Sequence, residues 1–117
     1  MPSNYASALV AKIQFSLETT AADTDTAAFQ VAVMAVTPNV DEADIVTPSF
    51  DTDNAGTLEL TADQVAGYLK EISITLTNAD SVAAGDLVAI QVYRDVANDG
   101  VVDDLEVVAI SLEYTTS

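Results

Sequence analysis

The chain has 117 residues, 19 Asp and Glu against three Lys and Arg, and a formal net charge of −16. That length supports one domain, residues 1–117, burying about two thirds of its unfolded surface, and a hydrophobic content of 50% excludes a chain that is disordered throughout. With neither Cys nor His, disulfide frameworks, Ser-His and Cys-His nucleophiles and the commonest zinc ligands are excluded as well.

The basic residues are Lys12, Lys70 and Arg94. Phosphate backbones and anionic membranes need clustered Lys and Arg, so direct nucleic-acid binding and membrane binding are both disfavoured. At about 1 M salt the screening length falls to roughly 3 Å and like-charge repulsion largely disappears. The composition therefore suits adaptation to high salt, and equally suits simple solubility. The start, MPSNYASALVAK, lacks a basic n-region and an unbroken apolar h-region, and no apolar run approaches a membrane span. The expectation is a chain made and used without Sec export.

In chain order, Leu9, Ala11, Ile13, Phe15 and Leu17 alternate with polar residues, the period-two signature of a half-buried strand. A polar, turn-rich loop follows. Phe29 to Val36 is a second strand, apolar on both faces, which places it centrally in a sandwich or beneath another subunit. Pro38 ends it. Residues 39–56 read as a long acidic loop with at most a short strand around Ile45 to Phe50. Thr57 to Leu60 is a further short strand, and Thr61 to Leu69, with a Thr cap, suits one or two helical turns weakened by Gly67. Lys70 to Thr77 alternates cleanly, with Ile72, Ile74 and Leu76 inward.

Two more strands close the chain. Val88, Ile90 and Val92 alternate with Ala89, Gln91 and Tyr93; Val108, Ile110, Leu112 and Tyr114 alternate with Ala109, Ser111 and Glu113. The ten residues between Arg94 and Leu105 are too few for a helical crossover, so these strands are expected to form an antiparallel hairpin. Five clear strands, seven or eight in all, without a long amphipathic helix, predict an all-β antiparallel sandwich of Greek-key or jelly-roll type.

Within the last loop, Asp95, Asp99, Asp103 and Glu106 occupy positions one, five, nine and twelve of a calcium-loop pattern, with Gly100 at the turn position. Ala97 offers no ligand at position three, and the flanks are strands. A solvated turn loop is the favoured reading, and a weak calcium site the alternative. The fragment Asp51, Asp53 and Gly56 is a fainter imitation and reads as a turn. Nineteen acids make any single carboxylate pair uninformative about glycoside hydrolysis, and the four glycines are scattered rather than gathered into a phosphate loop. A non-enzymatic protein without a required cofactor is expected. Tyr68, Tyr93 and Tyr114 are candidate sugar-stacking rings, though tyrosines at such places more often pack at strand ends or subunit seams.

The segment GYLKEISITLTNADSVAAGDLVAIQVYRDVANDGVVDDLEVVAISLEY resembles the C-terminal half of a jelly-roll domain of tailed-virus structural proteins: capsid decoration proteins, head fibres and tail appendages. Its marks are Ala84-Gly85-Asp86-Leu87-Val88, Tyr93-Arg94-Asp95, the acidic loop, and the closing Leu112-Glu113-Tyr114; AKIQFSLETT, AFQVAVMAVTP and the SFDT turn follow the same order more loosely. The resemblance implies a virion component, commonly a homotrimer, touching capsid or other virion proteins. With no long fibre region, a capsid decoration or turret subunit on the head surface is favoured over a tail fibre. Ala89, Gln91, Tyr93, Val107 and Ala109 are the candidate oligomer-interface residues, on faces that a second sheet of the same sandwich would also cover. The rival reading is a calcium-dependent carbohydrate- or receptor-binding module, including a tail or fibre component.

Overall fold

The computed structural model describes residues 1–18, 25–60, 65–101 and 104–117. Six strands are formed among them: β1 (Tyr5–Leu17), β2 (Thr26–Val36), β3 (Asn54–Glu59), β4 (Lys70–Thr75), β5 (Leu87–Arg94) and β6 (Leu105–Thr116). They make two antiparallel three-stranded sheets, β4-β1-β6 and β3-β2-β5. The chain is thus all-β and sandwich-like, with no helix among the described residues.

The alternating rows decide how the sheets stack. Leu9, Ala11, Ile13, Phe15 and Leu17 of β1 and Ala27, Phe29, Val31 and Val33 of β2 point at one another and are buried together with Ile72 and Ile74 of β4 and with Leu60 and Leu76 just beyond the strand ends. The rings of Phe15 and Phe29 meet across the sheets, with centroids 5.5 Å apart and planes tilted by 55°, the offset geometry that aromatic pairs prefer. Strand β2 is central in its sheet, and its second face is apolar too. Ala28, Ala32 and Met34 are buried there as well, Ala32 beside Phe50 and Asp53 of the long β2–β3 segment. The Asp51 amide donates to the Val33 carbonyl at 2.8 Å, which carries the pairing beyond β3.

Several sequence expectations are corrected. β5 and β6 do not form a hairpin: β5 pairs with β2, β6 pairs with β1, and the two lie in different sheets. Alternation reports which side chains face the core and is silent about the neighbouring strand. Ten residues bridge the roughly 10 Å between stacked sheets as readily as they turn a hairpin. Val107 does not share a face with Ala109. The β1–β6 register slips between Gln14 and Phe15, so Ala109 sits opposite Gln14 whereas Val107 sits opposite Phe15 on the core side, as a β-bulge requires. The third strand starts at Asn54 rather than Thr57, and residues 45–47 form a bend with no strand through Phe50. Of the helical turn expected over Thr61 to Leu69, residues 61–64 lie outside the described residues and Ala66-Gly67 is a turn, with Gly67 at φ +82°.

Among the described residues, the two sheets close on each other along the β3–β4 side. Gly56 of β3 lies against Ile74 of β4 so tightly that a Cβ at Gly56 would be 2.5 Å from Ile74 Cγ1. Nearby, the buried Asn54 side chain donates to the Val31 and Asn78 carbonyls and accepts from the Asn78 amide, at 2.9–3.0 Å. The opposite side, between β5 and β6, has no comparable seal among the described residues. The molecule measures 50 × 31 × 19 Å with a radius of gyration of 16.0 Å, against about 13 Å for a compact domain of this length.

Candidate functional site

The β5–β6 crossover is held by one carboxylate. Asp99, whose side chain is 1% exposed, accepts from Arg94 Nη2 at 2.7 Å and the Val101 amide at 2.8 Å through Oδ1, and from the Ala28 amide at 2.9 Å through Oδ2. Burial pushes its carboxyl up, but the hydrogen bonds from Arg94, Ala28 and Val101 outweigh burial and hold it below its ordinary range. Arg94 also donates to the Val101 carbonyl. The Asp95 and Gly100 amides donate to the Ala28 and Thr26 carbonyls of β2, so the loop is laced to the sheet it leaves.

That arrangement places the candidate metal ligands. Asp95 is buried and its carboxylate accepts from Asn98 Nδ2 at 2.8 Å. Asp99 is the loop's anchor, with both oxygens engaged. Glu106 is exposed on β6, opposite Ser16. Asp103 lies outside the described residues. Among the described residues no three acidic side chains gather closely enough to hold a metal ion. Other acids serve the backbone in the same way as Asp99: Asp80 accepts the Ala35 amide, Asp41 the Thr37 amide, and Asp86 the Ala83 amide and the Thr37 hydroxyl. Part of the acidity therefore caps loops rather than merely solvating them.

Among the described residues, the side between β5 and β6 stays open. The inward row of β5, Val88, Ile90 and Val92, is only partly covered, as are Leu105 and Leu112 of β6. Val107, Val108 and Ile110 are 47%, 63% and 43% exposed. A cleft of about 520 Å³ enters between the sheets here, floored by Phe29, Val92, Leu105 and Val107 and rimmed by Glu18, Asp104 and Glu106. Residues 87–93 and 107–112 contain no Asp, Glu, Lys or Arg. On a surface with a net charge of −16, that belt is what can lose water without burying an unpaired charge.

The interface candidates divide. Ala89 is half-buried, while Gln91, Tyr93 and Ala109 are exposed. By register Ala89 and Gln91 face away from the core, opposite Met34 and Ala32, and Val107 faces the cleft. The Tyr93 hydroxyl donates to Asp53, and this bond, aided by partial burial and by the Asp53 and Asp95 charges, pushes the phenol up to about 12. Sequence reasoning missed the Arg94–Asp99 anchor and the exposed edge residues Leu87 and Ile110. The signal of these edge residues was present as two uncharged runs in a strongly acidic chain.

The chain matches no protein-family model, no curated protein and no solved structure among those searched.

Proposed function

We propose that this chain is a non-enzymatic virion structural subunit that self-associates, a capsid decoration or turret subunit of the head surface built on a small jelly roll. The observation that carries the reading is the apolar floor of the opening between β5 and β6, rimmed by charge at one end, which one copy leaves wet. The order of acidic loops and strands that resembles tailed-virus jelly-roll domains supplies the virion setting, and with it the expectation of a trimer in contact with capsid proteins. The calcium-dependent binding module loses ground because Asp99, the centre of its loop, is engaged by Arg94 and two backbone amides.

Molar mass by light scattering in molar salt, with and without a calcium chelator, tests this. A chelator-resistant oligomer is expected. A monomer that loosens on calcium removal overturns the reading in favour of the binding module. Immunolabelling of virus particles from an infected culture of the source organism should decorate the head surface, and particles free of label would remove the virion assignment.

A further inference from the structure

We infer that copies of this chain join by edge-to-edge pairing of β5 in one copy with β6 in the next, so that each β3-β2-β5 sheet continues into a neighbour's β6-β1-β4 sheet. The inference rests on the self-association reading and adds which strands meet and in which direction.

Four strands are sheet edges, and they differ in how they are protected. On the closed side, β3 and β4 are six residues each, and they carry Glu59, Lys70 and Glu71. Short, charged edges resist pairing with other chains. On the open side, β5 and β6 span eight and twelve residues, without Pro and without charge over 87–93 and 107–112. Each pairs along one edge only, β5 with β2 and β6 with β1, among the described residues. Long edges with uncharged centres are templates for a further strand, although Arg94, Glu106 and Glu113 flank these centres and a bulge between Val107 and Ala109 interrupts β6.

Strand direction agrees. The Glu18 amide donates to the Asp104 carbonyl, the Leu60 amide to the Asp25 carbonyl and the Gly100 amide to the Thr26 carbonyl. The end of β1, the start of β2, the end of β3 and the β5–β6 crossover therefore share one end of the sandwich. β5 runs toward that end and β6 away from it. Rotation about an axis parallel to the strands brings β5 of one copy beside β6 of the next in antiparallel orientation. A twofold dimer, in which each copy's β5 meets the other's β6, or a closed threefold ring then uses every open-side edge. A twofold β6–β6 contact would leave β5 uncovered.

The occupant is a second copy for reasons of charge and area. Two of the three basic residues are already paired, Lys12 with Glu113 and Glu71 and Arg94 with Asp99. Acidic copies can therefore approach closely only where neither carries charge, which is this belt. The accessible surface is 6633 Å², whereas a self-sufficient monomer of this mass exposes about 6,100 Å². The excess is of the order of the roughly 800 Å² that each partner contributes to a stable interface.

The test combines light scattering with residue-resolved amide hydrogen exchange on the full chain in molar salt. In the assembly, the β5 and β6 amides that point away from β2 and β1 should exchange at least about tenfold more slowly than in an unpaired edge. Ile110→Asp, at an inward site already 43% exposed, should give a folded monomer by circular dichroism, while Ser111→Asp, on the outward face, should leave the assembly intact. If Ile110→Asp unfolds, the exchange pattern of the unsubstituted chain decides alone. An oligomer whose outward β5 and β6 amides exchange freely overturns the pairing and leaves self-association standing. A dimer protected in β6 alone also overturns it. A monomer overturns both the pairing and the self-association reading.

Discussion

Arg94 at the end of β5 and Asp99 five residues on are 2.7 Å apart, and the pair converts an acidic loop into the strap that carries the chain from one sheet to the other. An ion pair this enclosed is costly to break from one side, because the remaining partner is left uncompensated.

Asp99→Ala should therefore destabilise the protein by about 3 kcal/mol, read as a lower urea midpoint at an unchanged slope. The loss should be the same in calcium and in chelator. A loss confined to calcium-containing buffer would restore the loop as a metal site.

The same carboxylate sets a pH dependence. Its folded-state pKa lies below its ordinary value, so the stabilisation is complete above the unfolded carboxylate range of about 4 and is lost as pH falls through the depressed folded value. Acid titration of Asp99→Asn should show a shallower fall in stability below about pH 4 than the unsubstituted chain. Parallel acid limbs would show that Asp99 contributes nothing to acid unfolding.

Gly56 is required by its neighbour rather than by its backbone. Gly56→Ala places a methyl 2.5 Å from Ile74 Cγ1, which should cost about 1–3 kcal/mol by overpacking. Combining it with Ile74→Ala removes the clashing atoms, so the double variant should be more stable than the sum of the single losses predicts. Strict additivity in that cycle would mean the two sheets do not touch there.

The Tyr93 phenol should titrate late. In a chain without Trp, the absorbance of ionising phenols is uncluttered, and the Tyr93 step should appear near pH 12. Asp53→Asn should return it to the ordinary range by weakening the acceptor and removing the charge. The folded-state value is raised, so the contribution of this bond is present below about pH 10 and lost as pH climbs through the folded value.

Salt should stabilise. A net charge of −16 with few internal counter-ions gains from screening, by about 1–2 kcal/mol or roughly 5–10 °C in Tm between 0.1 and 1 M NaCl. The gain should shrink near pH 4, where carboxylates begin to protonate. A pH-independent salt response would point to general salting-out instead.

Local pattern determined much of this protein. Alternation at Leu9–Leu17, Lys70–Leu76 and Val88–Val92 placed strands and their inward rows, because which side a residue faces follows from its own backbone geometry. The two-faced apolar run Phe29–Val36 foretold a strand buried on both faces for the same reason. The uncharged stretches of the last two strands were visible too, and they mark the candidate interface. Tertiary structure decided what distance in the chain conceals. It assigned β5 and β6 to different sheets, since ten residues suit a hairpin or a crossover equally. It turned Val107 inward through a one-residue slip against β1. It also gave Asp99 its partners at Ala28, Arg94 and Val101, making an anchor of a residue whose spacing had suggested a calcium ligand. A carboxylate reads alike as ligand, cap or solvated charge until the groups around it are known, and one of those groups, Ala28, lies 71 residues away.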